Sequence, residues 1–297
     1  MPLSMDFAFE GFRIIRERPK LIPFWGLVLL IGNGLITFLM VAIAGPAFEH
    51  MATVVPGVDP QTLVPIYTTM AQAYGAVLPI SLVMQSIISC AVYRAVWDKT
   101  DDRFGYLRFG IDEVRQIAVT ILFFLVYLAL VFVDCFAAGM IGGLAGAGAG
   151  QSVALLVALV GFLAVGVVML RLSLCTVQSF DRKGIDIFGS WKLTQKQGWA
   201  LFGGYVVMLV MVLFVVALCI AFYGAVTVAI SGGTFATVSQ WLLSPDMSSP
   251  QAYFKPYMIG WVIVANLLVA PLVVALTSGA QAAAYRTLAG QTQDPGI

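Results

Sequence analysis

Charge is scarce in this chain. Only 10% of its 297 residues are Asp, Glu, Lys or Arg and 60% are hydrophobic, against about 25% and about 45–50% in soluble globular domains. That balance excludes a soluble fold. Sixteen basic residues against fifteen acidic ones leave a net charge of +1, which gives no electrostatic footprint for nucleic acid. The single histidine, His50, lies in a polar loop, and the four cysteines, Cys90, Cys135, Cys175 and Cys219, fall one apiece in four apolar runs with no CxxC pair. Metal-ligand spacing is missing, so no metal and no other cofactor is expected. The cysteines read as small buried apolar residues and His50 as a solvated one.

The residues that catalysis within a membrane requires are also missing. Intramembrane proteolysis or phosphoryl chemistry needs paired aspartates, a Ser beside a base, or a His-rich metal motif, and none lies in or next to the apolar runs. The carboxylates that do cluster, Asp98, Asp101, Asp102, Asp112 and Glu113, alternate with Lys99, Arg103, Arg108 and Arg115, the pattern of a solvated surface. A non-enzymatic protein is expected.

Long apolar runs dominate the rest. Six of them, at about 21–44, 76–96, 117–140, 153–170, 201–230 and 256–285, approach or exceed the roughly 20 residues that a helix needs to cross a bilayer core. The fold class predicted is all-α: one polytopic membrane domain over 1–297, with six transmembrane helices arranged as three hairpins. Ala42-Ile43-Ala44 superficially matches a signal-peptidase site, yet the run before it is too long and its leader carries Asp6, Glu10 and Glu17, so the span is expected to be retained. GGLAGAGAG after the third run lacks the Lys and Ser or Thr of a phosphate loop. It reads as a tight turn, or as a helical extension whose Gly142, Gly146 and Gly150 allow close helix contact.

Basic residues are placed asymmetrically. Fifteen of the sixteen lie before the first run, between the second and third, between the fourth and fifth, or in the tail, and Lys255 alone lies on the other side. By the positive-inside rule both termini are cytoplasmic, in a bacterial inner membrane. Each odd-numbered span follows a cytoplasmic segment expected to form an amphipathic helix, with Phe9, Phe12, Trp191 and Trp199 in the lipid interface. Trp25, Trp97, Trp241 and Trp261 stand at span boundaries as interfacial anchors would.

Two of these segments match each other. Phe9-Glu10-Gly11-Phe12-Arg13-Ile14 lies over Phe188-Gly189-Ser190-Trp191-Lys192-Leu193, with the helix breakers Pro19 and Gly198 following in register, and Leu107–Gln116 fits more loosely. Three copies of a surface helix followed by a hairpin account for this, although basic inner loops alone give six-span proteins a mild repetition. The RLSL sequence at Arg171 and the later Gly189-Ser190-Trp191-Lys192-Leu193-Thr194, with Arg18-Pro19 near the start, resemble uncharacterised bacterial six-span inner-membrane proteins. Those are similar to the membrane domain joined to some glycerophosphodiester phosphodiesterases. The resemblance covers the whole topology and implies a membrane module; it carries over no catalytic residue.

Polar groups inside the spans mark where a site could sit. Asp134 is the one clear ionisable residue inside a span, away from its ends, and Asn33, Gln85 and Asn266 are mid-span amides. Ionisable groups in hydrocarbon are costly and are functional candidates by default; Pro79 and Pro271 could open backbone carbonyls beside them. Against this, Asp134 could snorkel to the outer interface while the amides bridge helices. The function expected is a membrane-embedded interaction module or a lipid- or envelope-associated protein, whose partners are the bilayer and a membrane or cytoplasmic protein. The alternative is a small transporter or channel with a polar site around Asp134. No oligomeric state is read from the sequence.

Overall fold

The computed structural model describes residues 3–52, 54, 59–97 and 103–293; Pro56, Gly57, Asp98, Lys99, Asp101 and Asp102 lie outside them. The described residues are mostly helical, with no strand among them. Six helices are long and apolar enough to cross a membrane: Leu21–Met51, Gln61–Trp97, Phe104–Leu144, Gly148–Arg182, Gly198–Ser231 and Pro256–Gly290. The share of buried residues in their most apolar windows runs from 39% in the second down to 0% in the fifth. These helices therefore carry their Leu, Val and Phe side chains largely outward, as a multi-pass membrane protein does in lipid.

Two spans run further than the apolar patterns predict. Helix α1 is Glu10–Glu17, and α2 continues from Leu21 through Gly45-Pro46 to Ala52. Helix α3 runs unbroken from Pro60 to Trp97, through Pro65, Gly75 and Pro79, so it begins well before the apolar run at about 76–96. A proline removes one helical hydrogen bond and a glycine costs about 1 kcal/mol, and neither outweighs the continuous packing of α3 along α2.

The residues group into two compact units. One contains the residues up to Glu10, Phe109–Val207 and those from Ser278 on. In it α4 (Ile111–Leu144) and α5 (Gly146–Leu172) run antiparallel, joined at Ala145. Gly146, at φ +79°, takes the left-handed conformation that lets the chain reverse without a loop. The glycines thus serve as a turn and as a contact. A Cβ on Gly142 would lie 2.6 Å from the Ala154 Cβ and 2.9 Å from the Gly150 carbonyl oxygen, the close approach that small residues allow between helices in lipid. Below the hairpin, α6 (Cys175–Arg182) packs on α4, and Val119, Leu172, Cys175 and Ile187 form a buried cluster with Phe123 and Met169 against it.

Helix α7 (Gly189–Thr194) is clamped to the end of α5. The hydroxyls of Ser190 and Thr194 donate to the Arg171 carbonyl oxygen at 2.8 and 3.1 Å, and the Arg171 guanidinium donates to the Thr194 carbonyl. The N-terminal residues lie along the start of α8 (Gly198–Ser231). Ser4 caps the turn Met5–Phe9, the Leu3 N–H donates to Gln197 Oε1 at 3.2 Å, and Phe7 meets Tyr205 edge-on at 6.1 Å over Gly204.

The second unit contains Gly11–Arg108 and Met208–Thr277, including α9 (Phe235–Leu243), α10 (Pro250–Tyr253), α11 (Pro256–Val264) and the first turns of α12 (Ala270–Gln293). Its polar segment Arg103–Tyr106 departs from ordinary helix. Phe104, Gly105 and Tyr106 have φ of 50°, 66° and 62°, a left-handed run costing roughly 1–2 kcal/mol at each non-glycine residue. Compensating bonds hold it. The Trp25 indole N–H donates to the Gly105 carbonyl at 2.7 Å, Arg94 donates to the Tyr106 carbonyl at 3.3 Å, and Arg18 donates to the Tyr106 hydroxyl. Trp25 is therefore fully buried, with its indole committed to protein instead of the lipid boundary.

Several expected surface and core assignments shift. Glu113 is fully buried, its Oε2 accepting the Gly110 N–H at 2.8 Å, because it closes the first turn of α4; Asp112 pairs with Arg115 at 2.9 Å. Cys90 and Cys175 are buried, whereas Cys135 is exposed and Cys219 half-buried, since they lie in spans whose most apolar windows are only 11% and 0% buried.

Candidate functional site

A cavity of about 390 Å³ lies between α2, α3 and the sixth span, lined by Leu29, Asn33, Ser81, Met84, Gln85, Ala265, Asn266, Val269, Ala270, Val273 and Val274. Its origin is in the backbone. Between α11 and α12, Ala265–Val269 forms a π turn in which the Ala270 N–H reaches back to the Ala265 carbonyl. Pro271 follows directly and has no N–H to give to Leu267, so an ordinary helical register cannot pass this point intact. Gly26 of α2 faces the bulged turn, and a Cβ there would lie 2.8 Å from the Leu267 Cα. The glycine admits the widened backbone.

Two of the lining amides are joined across helices, and the third bonds within its own helix. Asn266 Nδ2 donates to the Val262 carbonyl at 2.8 Å, Asn33 Nδ2 donates to Asn266 Oδ1 at 2.8 Å, and Gln85 Nε2 donates to Ser89 Oγ at 3.2 Å. Ser81 spends its hydroxyl on the Leu78 carbonyl. The orientations follow from the first bond. A carbonyl only accepts, so the Asn266 nitrogen must face Val262 and its oxygen must face Asn33. The Asn33 nitrogen then faces Asn266, and the Asn33 Oδ1 accepts no hydrogen bond among the described residues.

Asn33 lies twelve residues past Leu21 and Gln85 twelve before Trp97, about 18 Å along each helix from those ends. The amides therefore sit deep in the apolar spans. No lining residue is charged.

Asp134 belongs to the other unit. It projects from α4 onto α5, where its carboxylate occupies the space that a Gly161 side chain would fill. Half-buried, it has no hydrogen-bond or ion-pair partner among the described residues. The structure brings Asn33, Gln85 and Asn266 to one cavity and places Asp134 against a helix contact.

The chain matches no protein family, curated protein or solved structure in the comparisons made. Among the described residues no group of three or more His, Cys, Asp or Glu side chains could hold a metal. The surface aromatics are exposed to different degrees: Phe9 46%, Phe12 38%, Trp191 40% and Trp199 88%, so Trp199 is the one held least by protein.

Sequence reasoning missed two groups. Gln116, Gln178 and Ser179 are buried where α4 packs on α6, and Gln116 Oε1, Gln178 Oε1 and Ser179 Oγ have no partner among the described residues. Their only signal is polarity beside an apolar run. At Asp246, in the polar segment before α10, the Ser248 hydroxyl and N–H donate to Oδ1 at 2.7 and 3.1 Å, which holds the carboxyl below its ordinary value. Burial pushes the nearby Tyr253 phenol up.

Proposed function

We propose that this protein is a non-enzymatic, six-span module of a bacterial inner membrane that binds lipid within its spans. The observation that carries this reading is the uncharged, amide-lined cavity deep between apolar helices, where a largely apolar ligand fits and a charged one would be costly. In this reading the spans form three hairpins with both termini in the cytoplasm, as the basic-residue asymmetry favours. The segments carrying Phe9, Phe12 and Trp191 lie in the cytoplasmic interface as amphipathic helices, with Trp199 at the start of α8 in the same layer. Their exposed aromatics and the neighbouring Arg13, Arg16, Lys192 and Lys196 suit a headgroup layer. The kinship suggested by the Gly189–Thr194 and Arg18-Pro19 motifs, to phosphodiesterase-linked membrane domains, agrees with a module that lacks its own chemistry.

Lipid bound to the protein purified in mild detergent tests the reading. Native mass spectrometry should find retained lipid in the wild type and less in Val273→Trp, which fills the cavity. Equal retention in both places the lipid elsewhere and removes the reading. Topology is tested separately by reporters that work only in the cytoplasm, expected to be active at the C-terminus and near Lys183 and silent near Pro60. Activity near Pro60 would invert the map.

A second reading, a small transporter or channel using Asp134, has one observation in its favour: the carboxylate lies within a span without a hydrogen-bond partner among the described residues. The two readings separate on Asp134→Asn.

A further inference from the structure

The amide chain also limits what the cavity can recognise. Val262 C=O, Asn266 and Asn33 form a relay whose direction is set at the Val262 end, and it finishes on the Asn33 Oδ1, an acceptor with no donor among the described residues. A ligand that completes this site must bring a donor. Gln85 gives one amide hydrogen to Ser89 and retains a second, so the complementary group both donates and accepts. A hydroxyl does both with one atom.

Depth narrows the class further. Asn33 and Gln85 lie about 18 Å along their helices from Leu21 and Trp97, far from the headgroup layer. Phosphate, ammonium or sugar headgroups would have to leave water to reach them, with no charged lining residue as compensation. An apolar molecule ending in a single hydroxyl meets little of that penalty. Leu29, Met84, Val269, Val273 and Val274 supply apolar wall for its body.

We infer that the cavity binds a neutral lipid alcohol, a long apolar chain or a diacylated glycerol with one free hydroxyl, which donates to Asn33 Oδ1 and accepts from Gln85. This rests on the lipid-binding reading of the same cavity. It adds that recognition is by the hydroxyl and that the methyl ether of the same molecule, which cannot donate, binds less well.

The full chain in detergent is labelled with a photoreactive hexadecanol bearing a diazirine on its chain, and in parallel with its methyl ether. One net hydrogen bond corresponds to roughly five- to tenfold in affinity, so the alcohol should half-saturate labelling at about five- to tenfold lower concentration. Asn33→Leu, which removes the acceptor and keeps the volume, should bring the alcohol to the level of the ether, and Asn33→Gln should restore part of the preference. Val273→Trp should abolish labelling by both. If Asn33→Leu does not fold, competition against the wild type by unlabelled hexadecanol and by methyl hexadecyl ether reads the same preference. Equal potency of alcohol and ether, with labelling still lost in Val273→Trp, overturns hydroxyl recognition and leaves the lipid cavity standing. Labelling by either probe that Val273→Trp does not reduce overturns both.

Discussion

The contact between Asn33 and Asn266 can be isolated by a double-mutant cycle. Asn266→Leu removes the acceptor of the 2.8 Å bond from Asn33 and its own bond to the Val262 carbonyl, which keeps the Ala265 N–H as a partner. The cost is therefore mainly the Asn33 amide left unpaired deep in the spans. A lost hydrogen bond that strands a buried partner costs about 1–3 kcal/mol, and the lower end applies here because Asn33 can turn into the cavity. Asn33→Leu strands the Asn266 oxygen while its nitrogen stays bound, so about 1 kcal/mol is expected again. With both changed nothing is stranded, and two leucines of similar volume meet across the α2 contact. The double variant should fall short of the summed single effects by about 1 kcal/mol, within the range of interhelical hydrogen bonds measured in membranes, which average about 0.6 and reach about 1.7 kcal/mol. Reversible unfolding of the four proteins in mixed micelles supplies the cycle. Strict additivity would show that the amides do not act as a pair and would remove the relay on which the hydroxyl argument depends.

Other outcomes follow from single contacts. Gly204→Ala places a Cβ on the Phe7 ring; expelled to water, the ring loses about 1.5–3 kcal/mol of burial, so amide exchange at residues 3–9 should accelerate while the spans stay protected, and unchanged exchange would deny the docking. Asp134→Asn should be neutral or slightly stabilising in the native membrane and silent for growth, because it removes an uncompensated charge; loss of phenotype at unchanged thermal stability would instead favour the transporter reading. Asp246 titrates below its ordinary range when folded, so the stability it contributes is complete above the unfolded carboxyl value of about 3.9 and fades as pH falls through the lower folded value. Asp246→Asn should flatten the acid limb of a stability–pH curve there, lying slightly below the wild type near neutrality and meeting it in acid, where both side chains are neutral.

The existence of six spans was legible because apolar length is a sufficient signal for a membrane helix. Their ends were less so: the first apolar run stops at about 44 and the second begins at about 76, yet α2 continues to Ala52 and α3 starts at Pro60. The three amides stood out because such residues are rare in apolar runs. Their depth alone allowed them to meet each other and Asp134; which of the four share a cavity was not legible, since it depends on the π turn ahead of Pro271 and on Gly26 opposite it. Trp25 and Glu113 misled for a common reason. Position relative to a span predicts an interfacial Trp and a solvated Glu, but Trp25 is engaged by the Gly105 carbonyl and Glu113 by the Gly110 N–H. Local backbone demand for a hydrogen-bond partner outranks position.

The two matched segments give the repeat its physical meaning. In the sequence match Gly11 lies over Ser190, Phe12 over Trp191 and Ile14 over Leu193. Burial follows the same register: Gly11 and Ser190 are buried, Phe12 and Trp191 are 38% and 40% exposed, and Ile14 and Leu193 are 5% and 9% exposed. In each case the small residue sets the helix on the backbone of an even-numbered span, Gly11 on Ala275 and Leu276 and Ser190 on the Arg171 carbonyl. A related device recurs at Arg94 and Arg171, near the ends of the second and fourth spans, where a guanidinium donates to a carbonyl of the segment that follows, at Tyr106 and at Thr194. Basic inner loops would produce mild sequence repetition without this agreement in burial and bonding. A small residue against a span and an arginine on the next segment's carbonyl are packing constraints, and they explain why Gly or Ser and a span-terminal Arg sit at these positions when the rest of each segment differs.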